Sequence, residues 1–219
     1  MGSVSAYWQN WVAYVPVVVA AILVLVGSLW PMTRHTVTLA HEAGHAVAAM
    51  ATGRQLSGIR LHSDSSGLTL SRGRPRGPGM VLTAAAGYLT PSLLGLAGGV
   101  LIGAGQRRVL LWGAVALMAV MVLFVRNVFG LLVLVVVGAG FGAVAYYGSP
   151  SLQEHFGYLA VWVLLLGNVR TIVEGAKSRS GRTDIDQLRD LTHLPKAVWT
   201  ALLIALAVAT GVLAWRVQY

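Results

Sequence analysis

Seven apolar segments, at about 11–30, 34–52, 80–104, 109–125, 128–146, 156–173 and 196–216, take up most of this 219-residue chain. Most approach the ~20 residues that a helix needs to cross the hydrocarbon of a bilayer. No water is available there to satisfy free backbone N–H and C=O groups, so such segments are confined to helix. The expected fold class is an all-α polytopic membrane protein with about seven (six to seven) transmembrane helices. With 56% hydrophobic and 11% charged residues, little is left over for a soluble domain, so residues 1–219 should form one membrane-embedded domain. The flank 1–10 carries no Lys or Arg, and no small-residue cleavage pattern follows the first segment, which reads as a retained helix.

The second segment is the least hydrophobic and the most informative. It contains His41-Glu42-Ala43-Gly44-His45. In a helix, positions i and i+4 share a face, so His41 and His45 can offer two imidazole nitrogens to one metal ion. Glu42 projects beside them, within reach of a metal-bound water. This H-E-x-x-H spacing is the zinc-metalloprotease signature. Ionisable groups inside a membrane are costly and mark function. Thr33 is placed to cap the start of this helix and Gly53 to end it.

Cysteine is absent, which excludes disulfides and thiolate ligands, so any metal rests on His and carboxylate. The net charge of +9 fits arginine-rich loops against anionic lipid. No basic patch interleaved with aromatics points to nucleic acid. Seven spans put the termini on opposite sides. Twelve of the 16 Lys and Arg, among them Arg54, Arg72 and Lys177, then share the N-terminal side. By the positive-inside rule that side is cytoplasmic, as is the N-terminus. Trp8, Trp11, Trp30, Tyr146, Tyr147, Trp199, Trp215 and Tyr219 lie near span ends and read as an aromatic belt. Gly95, Gly99 and Gly103 form a small-residue face for close helix approach.

After the motif helix the texture changes. Ile59 and Leu61 alternate with Arg60 and His62, and Leu68 and Leu70 with Thr69 and Ser71, around the polar turn 63–66. Period-two alternation predicts a small cytoplasmic-side β-hairpin at about 54–73. Further on, within the cytoplasmic-side stretch 174–195, residues 183–192 read as a short amphipathic helix. Thr183 and Asp186 are spaced as a capping box there.

Catalytic zinc takes three protein ligands and leaves one position open. The chain has seven acids. With Glu42 reserved as base, the candidates for the third ligand on the motif side are Glu174, Asp184, Asp186 and Asp190, with His193 and His62 nearby. Spacing alone does not choose among them.

The stretch 39–48 resembles the motif helix of the site-2 protease family of intramembrane zinc metallopeptidases, in particular its compact bacterial branch lacking a PDZ domain. Residues 59–62, 86–91 and 183–195 are similar to that branch as well. The resemblance implies Zn2+ held by His41, His45 and an aspartate that Asp184 matches best, with Asp186 and Glu174 next. It implies Glu42 as the catalytic base. The Leu-Asp-Gly motif that carries the aspartate in better-known members does not occur here. The resemblance also implies that the hairpin holds substrate as an added strand, through Ile59, Leu61, Leu68 and Leu70. The expected activity is hydrolysis of a membrane-anchored protein near the cytoplasmic face, in the bacterial cytoplasmic membrane. Two alternatives remain at this point. One is a prenyl-protein-processing type of membrane metalloprotease with Glu174 as third ligand. The other is a metal-binding scaffold or transporter without hydrolysis.

Overall fold

The computed structural model describes residues 2–218, with side chains from Tyr14 onward. Among these, the elements run α1 (Gly2–Leu25), α2 (Trp30–Ala51), β1 (Gln55–Leu61), β2 (Gly67–Arg72), α3 (Pro78–Gly103), α4 (Arg107–Val122), α5 (Val128–Tyr147), α6 (Pro150–Lys177), α7 (Asp184–Thr192) and α8 (Lys196–Gln218). All seven apolar segments are helical. By length and composition α3, α5, α6 and α8 can each cross a membrane. The helices α1 and α2 meet at a 98° bend and together make a fifth candidate span. The fourth segment forms only the 16-residue α4, shorter than a span. Among the described residues there are four to five candidate spans, where six to seven were expected.

The bend follows from local sequence. Gly27 weakens the helix, and Pro31, which cannot donate an N–H, restarts it within its first turn. The N-cap position is Leu29, and Thr33 instead lies inside α2 with its hydroxyl on the Trp30 carbonyl. The far end is as expected: Gly53 adopts φ 74°, a conformation open to glycine, and the chain turns into β1.

Two contacts fix how α1 is placed along the bundle. The Tyr14 ring stacks on Trp215 near the end of α8, with centroids 5.5 Å apart. Lys196, at the start of α8, bonds to Asp186 of α7. Tyr14 therefore lies at the end of the bundle opposite α7. Tyr14 and Trp215 thus lie together at one end of the bundle.

Helix α3 is the centre, with α2, α6, α7 and α8 around it. Its glycine face does what the spacing predicts. Gly95 meets Leu165 of α6, while Gly99 and Gly103 meet Ala214 and Val217 of α8. Beside Pro91, the fully buried Asn168 amide donates to the Tyr88 carbonyl and to Ser92 Oγ, both at 2.8 Å. Of the expected aromatic belt, Tyr146 and Tyr147 are exposed, but Trp30 is buried under the Arg170 guanidinium. The side chains of Trp8, Trp11 and Tyr219 lie outside the described residues.

The hairpin is antiparallel, with Ile59 opposite Thr69 and Leu61 opposite Gly67. The outer edge of β1 is closed by the α4–α5 turn. Ile59 N–H donates to the Phe124 carbonyl and Arg126 N–H to the Ile59 carbonyl, both at 2.9 Å. The Asn127 amide then acts as a peptide group: its oxygen accepts from Leu61 N–H at 3.1 Å and its nitrogen donates to Leu61 C=O at 2.7 Å. Ile59 and Leu61 are buried among Leu39, Ala46, Met121, Val125 and Leu134.

Candidate metal centre and substrate cavity

His41 and His45 lie one helical turn apart on α2, as the spacing demands, and both are buried. Their Nε2 atoms are 3.0 Å apart. Asp184 Oδ2, from the first residue of α7, is 3.0 Å from His41 Nε2 and 3.3 Å from His45 Nε2. Three ligand atoms on one tetrahedral metal, at zinc distances, stand about 3.3 Å from each other. The triangle thus has the size of one face of such a shell.

Proton bookkeeping points the same way. His45 Nδ1 is 2.7 Å from the Thr83 carbonyl, which can only accept. His45 therefore carries a proton on Nδ1 and turns Nε2 toward His41 and Asp184, the orientation a metal ligand needs. Two imidazole Nε2 atoms and a carboxylate oxygen converging within 3.3 Å make a donor set that fits a divalent cation.

The close approach depends on α3. A Cβ at Gly87 would sit 2.5 Å from both Nε2 atoms, so only glycine lets the rings lie against this helix. Tyr88 packs edge-on against His41 at 4.8 Å. Gly87 is nine residues into α3, which at 1.5 Å per residue puts the centre about 14 Å in from that helix's start.

Glu42 is oriented differently. The ligand atoms of His41, Glu42 and His45 lie within 4.8 Å of one another, close enough for all three to hold a metal. Its carboxylate, however, accepts from Thr69 Oγ1 of β2 at 2.6 Å and packs against Gly67. Asp184 Oδ2, by contrast, contacts both imidazoles.

The other acids are committed elsewhere. Glu174 pairs with Arg170 at 2.8 Å and Arg34 at 3.3 Å. Asp186 closes the expected capping box with Thr183 and is bonded by Lys196 Nζ at 2.9 Å. Burial pushes the Asp186 pKa up, and the bonds from Lys196 and Thr183 more than offset this, holding it at about 2. Asp190 pairs with Arg189. His62 contacts Ser66 at the hairpin turn, and His193 caps the end of α7.

The centre opens into a cavity of about 1040 Å³ between α2, β2, α3, α6 and α7. Leu68 and Leu70 line it and are partly exposed, whereas Ile59 and Leu61 face the core and cannot meet a substrate without unpacking. The β1 partners of Thr69 and Gly67 spend their N–H and C=O groups on the α4–α5 turn. In an antiparallel pair both residues point their backbone groups inward or both outward. Thr69 and Gly67 therefore direct theirs away from β1, on the strand that lines the cavity.

Sequence reasoning missed Thr83, Gly87 and Lys196, and it placed Thr69 on the strand without its bond to Glu42. Only Gly87, inside the 86–91 stretch, carried a signal.

The Peptidase M50B-like family model matches residues 14–215. The chain belongs to that family, a site-2 protease family. No curated protein and no solved structure gives a significant match. Family membership and the apolar helices together make the chain an integral membrane metallopeptidase of the site-2 protease type.

Proposed function

We propose that residues 1–219 form a single zinc-dependent endopeptidase domain that cuts a membrane-anchored protein within the bilayer, near its cytoplasmic face. The observation that carries this reading is the triangle of His41 Nε2, His45 Nε2 and Asp184 Oδ2, no side longer than 3.3 Å, opening into the cavity. His41, His45 and Asp184 hold the metal. Bound zinc supplies Lewis acidity to a water and to the scissile carbonyl. Glu42 takes a proton on its carboxylate from the attacking water and returns it to the leaving amine. Thr69 holds that carboxylate beside the strand on which the substrate lies. The Thr83 carbonyl fixes the tautomer of His45.

The substrate is an unwound segment that adds to β2 through Gly67 and Thr69, with Leu68 and Leu70 contacting its side chains. The opposite edge, on β1, is taken by residues 124–127. Most Lys and Arg, among them Arg54, Arg72, Lys177 and Arg182, belong to the α7 end of the bundle, which makes that end cytoplasmic. The N-terminal helix then enters from the far side, the reverse of the seven-span expectation.

The prenyl-protein-processing alternative needs Glu174 as ligand, and the two arginines on Glu174 argue against it. The scaffold alternative leaves Glu42 without a role. Purified protein in detergent should cleave a membrane-anchored substrate, and a zinc chelator or Glu42→Gln should abolish cleavage. Undiminished cleavage under both conditions would overturn the reading.

A further inference from the structure

Asp184 is the one member of the triangle that does not sit on α2. It is the first residue of α7, a nine-residue helix reached through the exposed stretch 179–182. Its position is therefore inherited from whatever docks α7. Part of that docking is apolar. Ile185 and Leu188 are fully buried against Ala84, Tyr88, Ile172 and Leu203. Two apolar contacts fix the face of a short helix, but non-directional contacts constrain its position along the axis less tightly.

The polar contacts supply that constraint. Asp186, two residues on from Asp184, is 3% exposed. One of its carboxylate oxygens accepts from the Thr183 N–H at 3.0 Å and the Thr183 hydroxyl at 2.7 Å. The other accepts from Lys196 Nζ at 2.9 Å. Lys196 is the first residue of α8, and its Nζ also donates to the carbonyl of Ser178, the cap residue of α6, at 3.0 Å. One ammonium group thus ties the end of α6, the ligand-bearing helix α7 and the start of α8 to a common point.

We propose that Lys196 is a positioning residue for the metal centre: through Asp186 it fixes the axial position of α7 and so sets Asp184 against His41 and His45. The proposal rests on the reading of Asp184 as a ligand. It gives Asp186 a duty beyond capping. Outer partners that orient ligands typically change metal affinity roughly 10- to 100-fold when removed.

The test uses the full chain in detergent and measures Zn2+ affinity by competition with a chelator, alongside the melting temperature of the metal-free protein. Lys196→Met keeps the apolar stem and removes the charge. It should weaken zinc binding roughly 10- to 100-fold, and Lys196→Arg should recover most of the loss. Asp186→Asn keeps the volume and an oxygen for Thr183 while removing the charge, and should weaken zinc similarly if Lys196→Met does not fold. In an Asp184→Ala background, Lys196→Met should cause no further loss, because the ligand it positions is already gone. A general loosening of the fold would instead add to the deficit, and that result overturns the proposal. Parental zinc affinity in both Lys196→Met and Asp186→Asn, with zinc lost in Asp184→Ala, also overturns it while leaving the ligand set intact. Parental affinity in Asp184→Ala sinks the ligand assignment and this proposal with it.

Discussion

Thr69 Oγ1 on β2 donates to Glu42 Oε2 on α2 at 2.6 Å. The strand edge that lines the cavity and the carboxylate beside the metal ligands are therefore one unit. Hydrogen bonds to charged groups contribute about 1.5–3 kcal/mol. Losing this one should let the Glu42 carboxylate leave its place. Thr69→Val should lower kcat roughly 10- to 100-fold with zinc content unchanged, and Thr69→Ser should restore it. Thr69→Pro removes the outward N–H as well as the hydroxyl, without touching a hairpin bond. It should cost further activity and raise KM, and equal kinetics for the Val and Pro variants would refute strand addition at this edge.

The same edge can be probed by contact. A photoreactive side chain at Leu70, 40% exposed in the cavity wall, should crosslink to a bound substrate. One at Arg60, on the strand whose outer edge the α4–α5 turn covers, should not. Crosslinking at Arg60 alone would move the substrate to the other strand.

Gly87 should tolerate no side chain. An added Cβ would press on both imidazole Nε2 atoms. Gly87→Ala should strip zinc from purified protein. Gly113→Ala in α4, with open space around its Cβ, should keep it. Full zinc occupancy in Gly87→Ala would show that the rings are not held against α3 as described.

Much of this architecture was legible in the sequence. The helix spacing of His41 and His45, the period-two texture around 63–66, and the capping box of Thr183 and Asp186 are local patterns, and local patterns survive folding. What was not legible depends on contacts between distant segments. Asp184, Asp186 and Glu174 were indistinguishable by spacing. They differ because Lys196 reaches Asp186, Arg34 and Arg170 reach Glu174, and two imidazoles reach Asp184. The burial of Ile59 and Leu61 likewise follows from a turn more than 60 residues away supplying a pseudo-strand through Asn127. The 98° bend that joins α1 and α2 into one candidate span is likewise a feature that hydropathy does not register.

The placement of α1 is testable. Reporters active only in the cytoplasm should work when inserted near Ser65 or Ser178. They should fail near Ser149 and when fused ahead of α1. An active reporter at the N-terminus together with an active one at Ser178 would contradict the stacking of Tyr14 on Trp215.

The zinc-bound structure of the Glu42→Gln protein tests the central claim most directly. The substitution should leave binding near normal, since Glu42 acts on water and not as a ligand. The account predicts one zinc with His41 Nε2, His45 Nε2 and an Asp184 oxygen at about 2.0–2.2 Å. The substituted amide should lie outside the shell, and α7 should remain tied to Lys196. A shell completed by Glu174 or Asp186, or zinc bound elsewhere in the chain, would contradict it.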